Sequence, residues 1–102
     1  GLWAQLRLQE ARRAAGDSVT LSCRASGVTS GDYAMFWYRQ APGGSLEWAS
    51  LINYSGSIKK YGAAVEGRAR ASWYSYRSPS SLFLWSLHPS DSACYFCAVH
   101  AG

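Results

Sequence analysis

The stretch Asp91-Ser92-Ala93-Cys94-Tyr95-Phe96-Cys97-Ala98-Val99 decides how the rest of the chain is read. In an extended backbone successive side chains point to opposite sides. Tyr95 and Cys97 therefore share one face, and Cys94 and Phe96 share the other. The strand is entered through a Pro89-Ser90-Asp91 corner, with Asp91 six residues and Tyr95 two residues before Cys97. Upstream, Trp37 stands sixty residues before Cys97, and Cys23 fourteen before Trp37. Cysteine, tryptophan, tyrosine and cysteine at these offsets mark a sandwich of two sheets, with sulfur and indole between them and a phenol pinning a corner. Any one of them could be accidental; the set is specific.

The remaining sequence agrees. Helical periodicity is nearly absent, while strand-like alternation recurs between Gly, Pro, Ser and Asn punctuation. Gln5–Gln9 alternates, and Ser18–Cys23 puts Val19, Leu21 and Cys23 on one face. Ala34–Gln40 stops at Ala41-Pro42-Gly43-Gly44, a turn signal. Leu46–Ile52 is followed by a turn over residues 53–57, and Ile58–Tyr61 can return antiparallel to it. Arg68–Tyr74 and Ser81–Leu87 flank Ser78-Pro79-Ser80; in the second, Leu82 and Leu84 oppose Phe83 and Trp85. Short strands with frequent turns predict an all-β antiparallel sandwich.

At 102 residues the chain has room for one core. Its ten Lys and Arg exceed six Asp and Glu by a net +4, but they are scattered, with only Arg12-Arg13 and Lys59-Lys60 adjacent. Nucleic-acid binding needs a concentrated stripe of charge, so this balance argues against it. No apolar stretch is long enough to span a bilayer, so membrane attachment would come through other domains. Gly1-Leu2-Trp3-Ala4 reads as the remnant of a secretory signal, which predicts a domain over residues 5–102 and an oxidising compartment.

Trp37-Tyr38-Arg39-Gln40-Ala41-Pro42-Gly43-Gly44-Ser45-Leu46-Glu47-Trp48 resembles the second framework of an immunoglobulin heavy-chain variable domain. Tyr61-Gly62-Ala63-Ala64-Val65-Glu66-Gly67-Arg68 is similar to the third framework's opening, in a form resembling bird heavy-chain segments. The stretch from Asp91 to Val99 resembles the F strand, with a T-cell-receptor flavour. The resemblance implies an immunoglobulin-like V-type sandwich without the final strand that a joining segment supplies. It also implies an Arg68–Asp91 ion pair, which at an ordinary surface contributes under about 1 kcal/mol. Tyr38, Gln40, Leu46, Trp48 and Phe96 match positions that face a partner variable domain, a light chain or second receptor chain, although Tyr38 resembles the variant of domains that work alone. Ala69 stands where the family has a core Phe, which predicts compensation by Trp73 or Phe83. Arg12-Arg13 replace an apolar pair.

Three cysteines allow one disulfide. With Cys97 on the core face, Cys23–Cys97 is the expected bridge, stabilising by roughly 2–5 kcal/mol. Cys94 is then expected on the partner-facing sheet, as a small covered hydrophobe or as an interchain disulfide. Cys94 and Cys97 have the spacing of a metal or redox pair, but on a strand they point apart and cannot share a tetrahedral ion. No metal or cofactor is expected. His88, Ser90 and Asp91 hold the residue types of a hydrolytic triad, but at a turn with no nucleophile elbow, so no enzyme activity is expected. Asn53-Tyr54-Ser55 is an N-glycosylation sequon on a predicted turn.

By resemblance, loops at one end of the sandwich bind antigen. They are Gly27 to Ala34 (with Thr29, Ser30, Asp32 and Tyr33), Ile52 to Ile58 (with Asn53, Tyr54, Ser55 and Ser57), and the segment from Ala98 through His100. Tyr supplies rigid amphipathic contact area, and Ser and Asn adaptable hydrogen bonding. The expected role is antigen recognition outside the cell, secreted or at the cell surface. The alternative is an invariant V-type adhesion or innate-receptor domain with a fixed protein ligand.

Overall fold

A computed structural model of the chain describes residues 2–8, 16–25, 33–75 and 77–101. Among these residues eight strands form: β1 (Leu2–Leu8), β2 (Val19–Cys23), β3 (Tyr33–Gln40), β4 (Leu46–Asn53), β5 (Lys59–Tyr61), β6 (Ala69–Ser72), β7 (Ser80–Leu84) and β8 (Ala93–Ala101). One turn of 3-10 helix, Pro89–Asp91, leads into β8. They assemble into a five-stranded sheet, β1-β8-β3-β4-β5, and a three-stranded sheet, β2-β7-β6, with every pairing antiparallel. This is the expected immunoglobulin-like sandwich.

Strand ends differ from the sequence reading in instructive ways. β7 stops at Leu84 rather than Leu87 because Ser86 takes a left-handed backbone, with φ of 50°, which a ladder cannot continue through. β6 is shorter than Arg68–Tyr74, and β8 runs past Val99 to Ala101. β1 begins at Leu2, pairing Leu2, Trp3 and Ala4 with Val99, Ala98 and Cys97. β1 lies along the outer edge of β8.

The core lies between the sheets. Val19, Leu21 and Cys23 project inward from β2, Met35 and Trp37 from β3, and Tyr95, Cys97 and Val99 from β8. Ile52, Val65, Leu82, Leu84 and Leu87 are among the other core residues, all but closed to solvent. Trp37 has 0% of its surface exposed. Cys23 and Cys97 form the disulfide that ties the sheets together. Truncating a fully packed aromatic such as Trp37 costs about 3–5 kcal/mol.

Of the two expected fillers beside Ala69, only Trp73 is inside. It follows β6, is 3% exposed, and meets Tyr54 edge-on at 5.4 Å. Phe83 is instead 37% exposed on the solvent face of its sheet, 5.6 Å from Trp85. Strand alternation requires this: with Leu82 and Leu84 inward, Phe83 must point out.

One irregularity sets up the outer face of the larger sheet. Trp37 pairs with Ser50 but Tyr38 pairs with Trp48, leaving Ala49 as the extra residue of a β-bulge. Ala49 and Ser50 are consequently both buried, while Trp48 turns outward. Gly62 donates its N–H to Ala49 O at 2.8 Å. The approach is so close that a Cβ on Gly62 would stand 2.5 Å from Trp48 O.

Candidate functional site

The end of the sandwich at which β3 starts and β4 and β8 finish carries the candidate recognition loops. Tyr33 pairs with Ala101, and Ala34 lies between Asn53 and His100. Thr29, Ser30 and Asp32, expected in the first loop, lie outside the described residues, as do Arg12 and Arg13. Tyr33, Asn53, Tyr54, Ser55, Ser57 and His100 fall at this end, with Tyr33, Asn53 and His100 on β3, β4 and β8 rather than in loops.

The hairpin from Asn53 to Ile58 is held by one amide side chain. Asn53 Oδ1 accepts the Ile58 N–H at 2.9 Å, and its Nδ2 donates to Ser57 Oγ at 3.0 Å. Backbone bonds from Asn53 N to Ile58 O and from Gly56 N to Asn53 O close the turn. Gly56 supplies the left-handed φ of 79° that the turn requires. Tyr54 donates its N–H to Tyr33 O at 2.9 Å, tying this hairpin to the start of β3. Between the hairpin and the sheet lies a concavity of about 490 Å³, lined by Tyr33, Ala34, Leu51, Asn53, Tyr54, Ser55, Ile58 and Lys60. The sequence reading set Ile58 at the end of this loop but missed Leu51 and Lys60. Their signal was the register of the β4–β5 hairpin, in which Leu51 and Lys60 are cross-strand partners.

The outer face of the five-stranded sheet is the second part of the site. Tyr38 lies between Trp48 and Phe96, and Gln40 between Leu46 and Cys94, so the five expected partner-facing residues share one surface with Cys94. Leu46 is 50% exposed and Trp48 37%. Phe36, also missed from sequence, extends this face toward the loops. It stacks with Tyr38 at 6.3 Å and meets His100 edge-on at 4.9 Å. Large rings and aliphatics, little charge and a rigid sheet beneath are what a protein interface core needs.

The base of the sandwich holds a buried charge cluster. Asp91 Oδ1 accepts from Arg39 Nη1 at 2.7 Å and from Arg68 Nη2 at 3.0 Å. Its Oδ2 accepts from Arg68 Nη1 at 2.7 Å and from the His88 N–H at 2.8 Å. Tyr95 Oη donates to Asp91 O, and Arg39 also pairs with Glu47 Oε1 at 2.7 Å. The Arg68–Asp91 pair thus forms, but it is no ordinary surface pair, because Asp91 is fully buried and a second arginine shares it. Arg39, one of the scattered basic residues, is 5% exposed. Its inward direction was legible from alternation with Met35 and Trp37.

Burial alone would raise the Asp91 carboxyl, but the hydrogen bonds from Arg68, the His88 N–H and Arg39 outweigh it and hold the group at about 2. For Arg39 burial opposes charge, and the bonds to Glu47, Tyr95 and Asp91 prevail, raising it above the usual guanidinium range. Burial raises the Tyr95 phenol, with Arg39 offsetting part of the effect.

Among the described residues no three His, Cys, Asp or Glu side chains are grouped to hold a metal ion. No helix there is long and apolar enough to cross a membrane.

The fold, the inter-sheet Cys23–Cys97 bridge against Trp37 and the Tyr95–Asp91 corner agree with comparison against known families. The family model described as Immunoglobulin V-set domain matches residues 9–102, and the chain belongs to the immunoglobulin V-set family.

Proposed function

We propose that this V-set domain recognises antigen, as the variable domain of an immunoglobulin heavy chain or of a heavy-like T-cell-receptor chain. V-set domains with such a disulfide are typically extracellular or at the cell surface, and we place this one there, secreted or membrane-attached through other domains of its chain. The observation that carries the reading is the pairing of a clamped hairpin and concavity at one end with an aromatic sheet face beside them. In this reading Tyr33, Asn53, Tyr54, Ser55, Ser57 and His100 present contact groups. Tyr38, Gln40, Leu46, Trp48 and Phe96 receive a second variable domain, a light chain or a second receptor chain.

The role is binding rather than catalysis. Asp91 is the one carboxylate at the corner shared with His88 and Ser90, and two guanidinium groups and a backbone N–H already hold its oxygens. A carboxylate so engaged has no capacity left to act as a base.

The deciding experiment is to sequence expressed transcripts across the codon for residue 102. A population with diverse continuations supports antigen recognition. A single invariant continuation into a stalk replaces it with an adhesion or innate-receptor role toward a fixed protein ligand.

A further inference from the structure

Among its described lining residues, the concavity at the loop end combines apolar walls with one charged group, Lys60. Leu51 and Lys60 are cross-strand partners and so project from the same face of the β4–β5 hairpin. Ile58, 48% exposed, and Tyr33 extend the apolar wall. Both ends of the Asn53 amide are used within the hairpin, and Ser55 Oγ is bonded to Ser57 Oγ at 2.8 Å. None of the described lining residues is acidic, and among the described residues no ion pair engages Lys60. Lys59 pairs with Ile52 and projects to the opposite side.

We propose that this concavity takes an apolar or aromatic group carrying a carboxylate, with Lys60 as the counter-charge. The proposal rests on the recognition reading above and names the ligand chemistry of one subsite within it. Apolar area on Leu51, Ile58 and Tyr33 supplies binding without orientation. A single ammonium at the rim then sets the direction, because a ligand whose anion lies away from Lys60 loses that attraction. One lysine without an arginine fork suits a monoanion better than a phosphate, which is recognised through several convergent donors. The walls are pre-formed by the Asn53 clamp and the Tyr54–Tyr33 backbone bond, so little ordering accompanies binding.

The test is an NMR titration of the isotope-labelled, disulfide-bonded chain with 4-phenylbutyrate, 4-phenylbutanol and 4-phenylbutylammonium. The expected result is shifts at Tyr33, Leu51, Ile58 and Lys60, with the anion favoured over the alcohol about threefold and the cation weakest. Lys60→Gln abolishes the preference and Lys60→Arg restores it. Ile58→Ser weakens all three probes alike. Lys60 is exposed and its carbonyl, not its side chain, receives Ser50 Oγ, so these variants keep the fold. Two peptides separate the sources of the chemistry: one ends in phenylalanine with a free carboxylate, and one carries an internal Phe-Glu with blocked ends. Equal affinity for the three probes, or a preference that survives Lys60→Gln, overturns the assignment of the carboxylate. Shifts clustered elsewhere on the domain overturn the site. Neither result touches the transcript test, on which the recognition reading stands or falls separately.

Discussion

Arg39 and Asp91, fifty-two residues apart in the chain, meet at 2.7 Å beneath the core, where the aspartate has no exposed surface. A lone buried carboxylate would be strongly destabilising. Here it is offset by Arg68 on the other side and by the His88 N–H below. The cluster joins β3, the segment before β6 and the corner before β8, so it fixes how the two sheets meet at the base. Removing its centre should therefore cost more than removing one arm. Asp91→Asn is expected to destabilise by about 3–5 kcal/mol, leaving two arginines facing a neutral amide. Arg39→Met, which leaves Arg68 on the carboxylate, should cost about 1–3 kcal/mol. Urea unfolding of both variants checks the order, and equal losses would mean that Arg68 does not hold the aspartate by itself.

The same carboxylate sets an acid limit. Its folded-state value of about 2 lies below the ordinary 3.8. The stabilisation is complete above the ordinary value and is lost as pH falls from there through about 2. Linkage puts the amount at about 2 kcal/mol. Stability measured between pH 5 and pH 2 should fall by that much more in the native chain than in Asp91→Asn.

Gly62 is predicted to be intolerant of the smallest side chain. Its backbone runs against the β4 bulge, and an added Cβ would collide with Trp48 O. Gly62→Ala should cost about 1–3 kcal/mol, as overpacking does. It should also move Trp48, so a change in Trp fluorescence should accompany the loss. A change of the same size at Gly44, where the Cβ would meet Ala41 O at 3.3 Å, would show that the bulge is not the cause.

Asn53 should hold the hairpin without supporting the core. Asn53→Ala removes the acceptor of the Ile58 N–H and the donor to Ser57. Hydrogen exchange at Ile58 should accelerate while exchange in β3 and β8 is unchanged. Global stability should fall by only about 1 kcal/mol, and ligand binding in the concavity should weaken.

The sandwich was legible because its determinants are local in pattern. Alternation placed Cys97 and Tyr95 inward, spacing to the two cysteines placed Trp37 between the sheets, and turn residues bounded the strands. The same alternation assigned Cys94 and Phe96 to the outer face. What escaped the sequence depends on register between distant strands. Alternation with Met35 and Trp37 turns Arg39 inward, but nothing near it in sequence announces that Asp91 lies below. The Leu51–Lys60 wall likewise exists only once β4 and β5 are aligned. The Ala49 bulge, which turns Trp48 outward, leaves no mark in periodicity.

The pairing of β1 with β8 has a practical corollary. β1 runs antiparallel to β8 from Leu2, opposite Val99, so the first described residue lies beside the same rim that Ala101 and Tyr33 share. A fluorophore attached at Leu2 would therefore lie at the loop end of the sheet, on the edge opposite β5, and could report a ligand's arrival from there. A bulky fusion at that point would share the loop end with the ligand, whereas one inserted at the Ala41–Gly44 turn, at the far end of β3, would leave that end open.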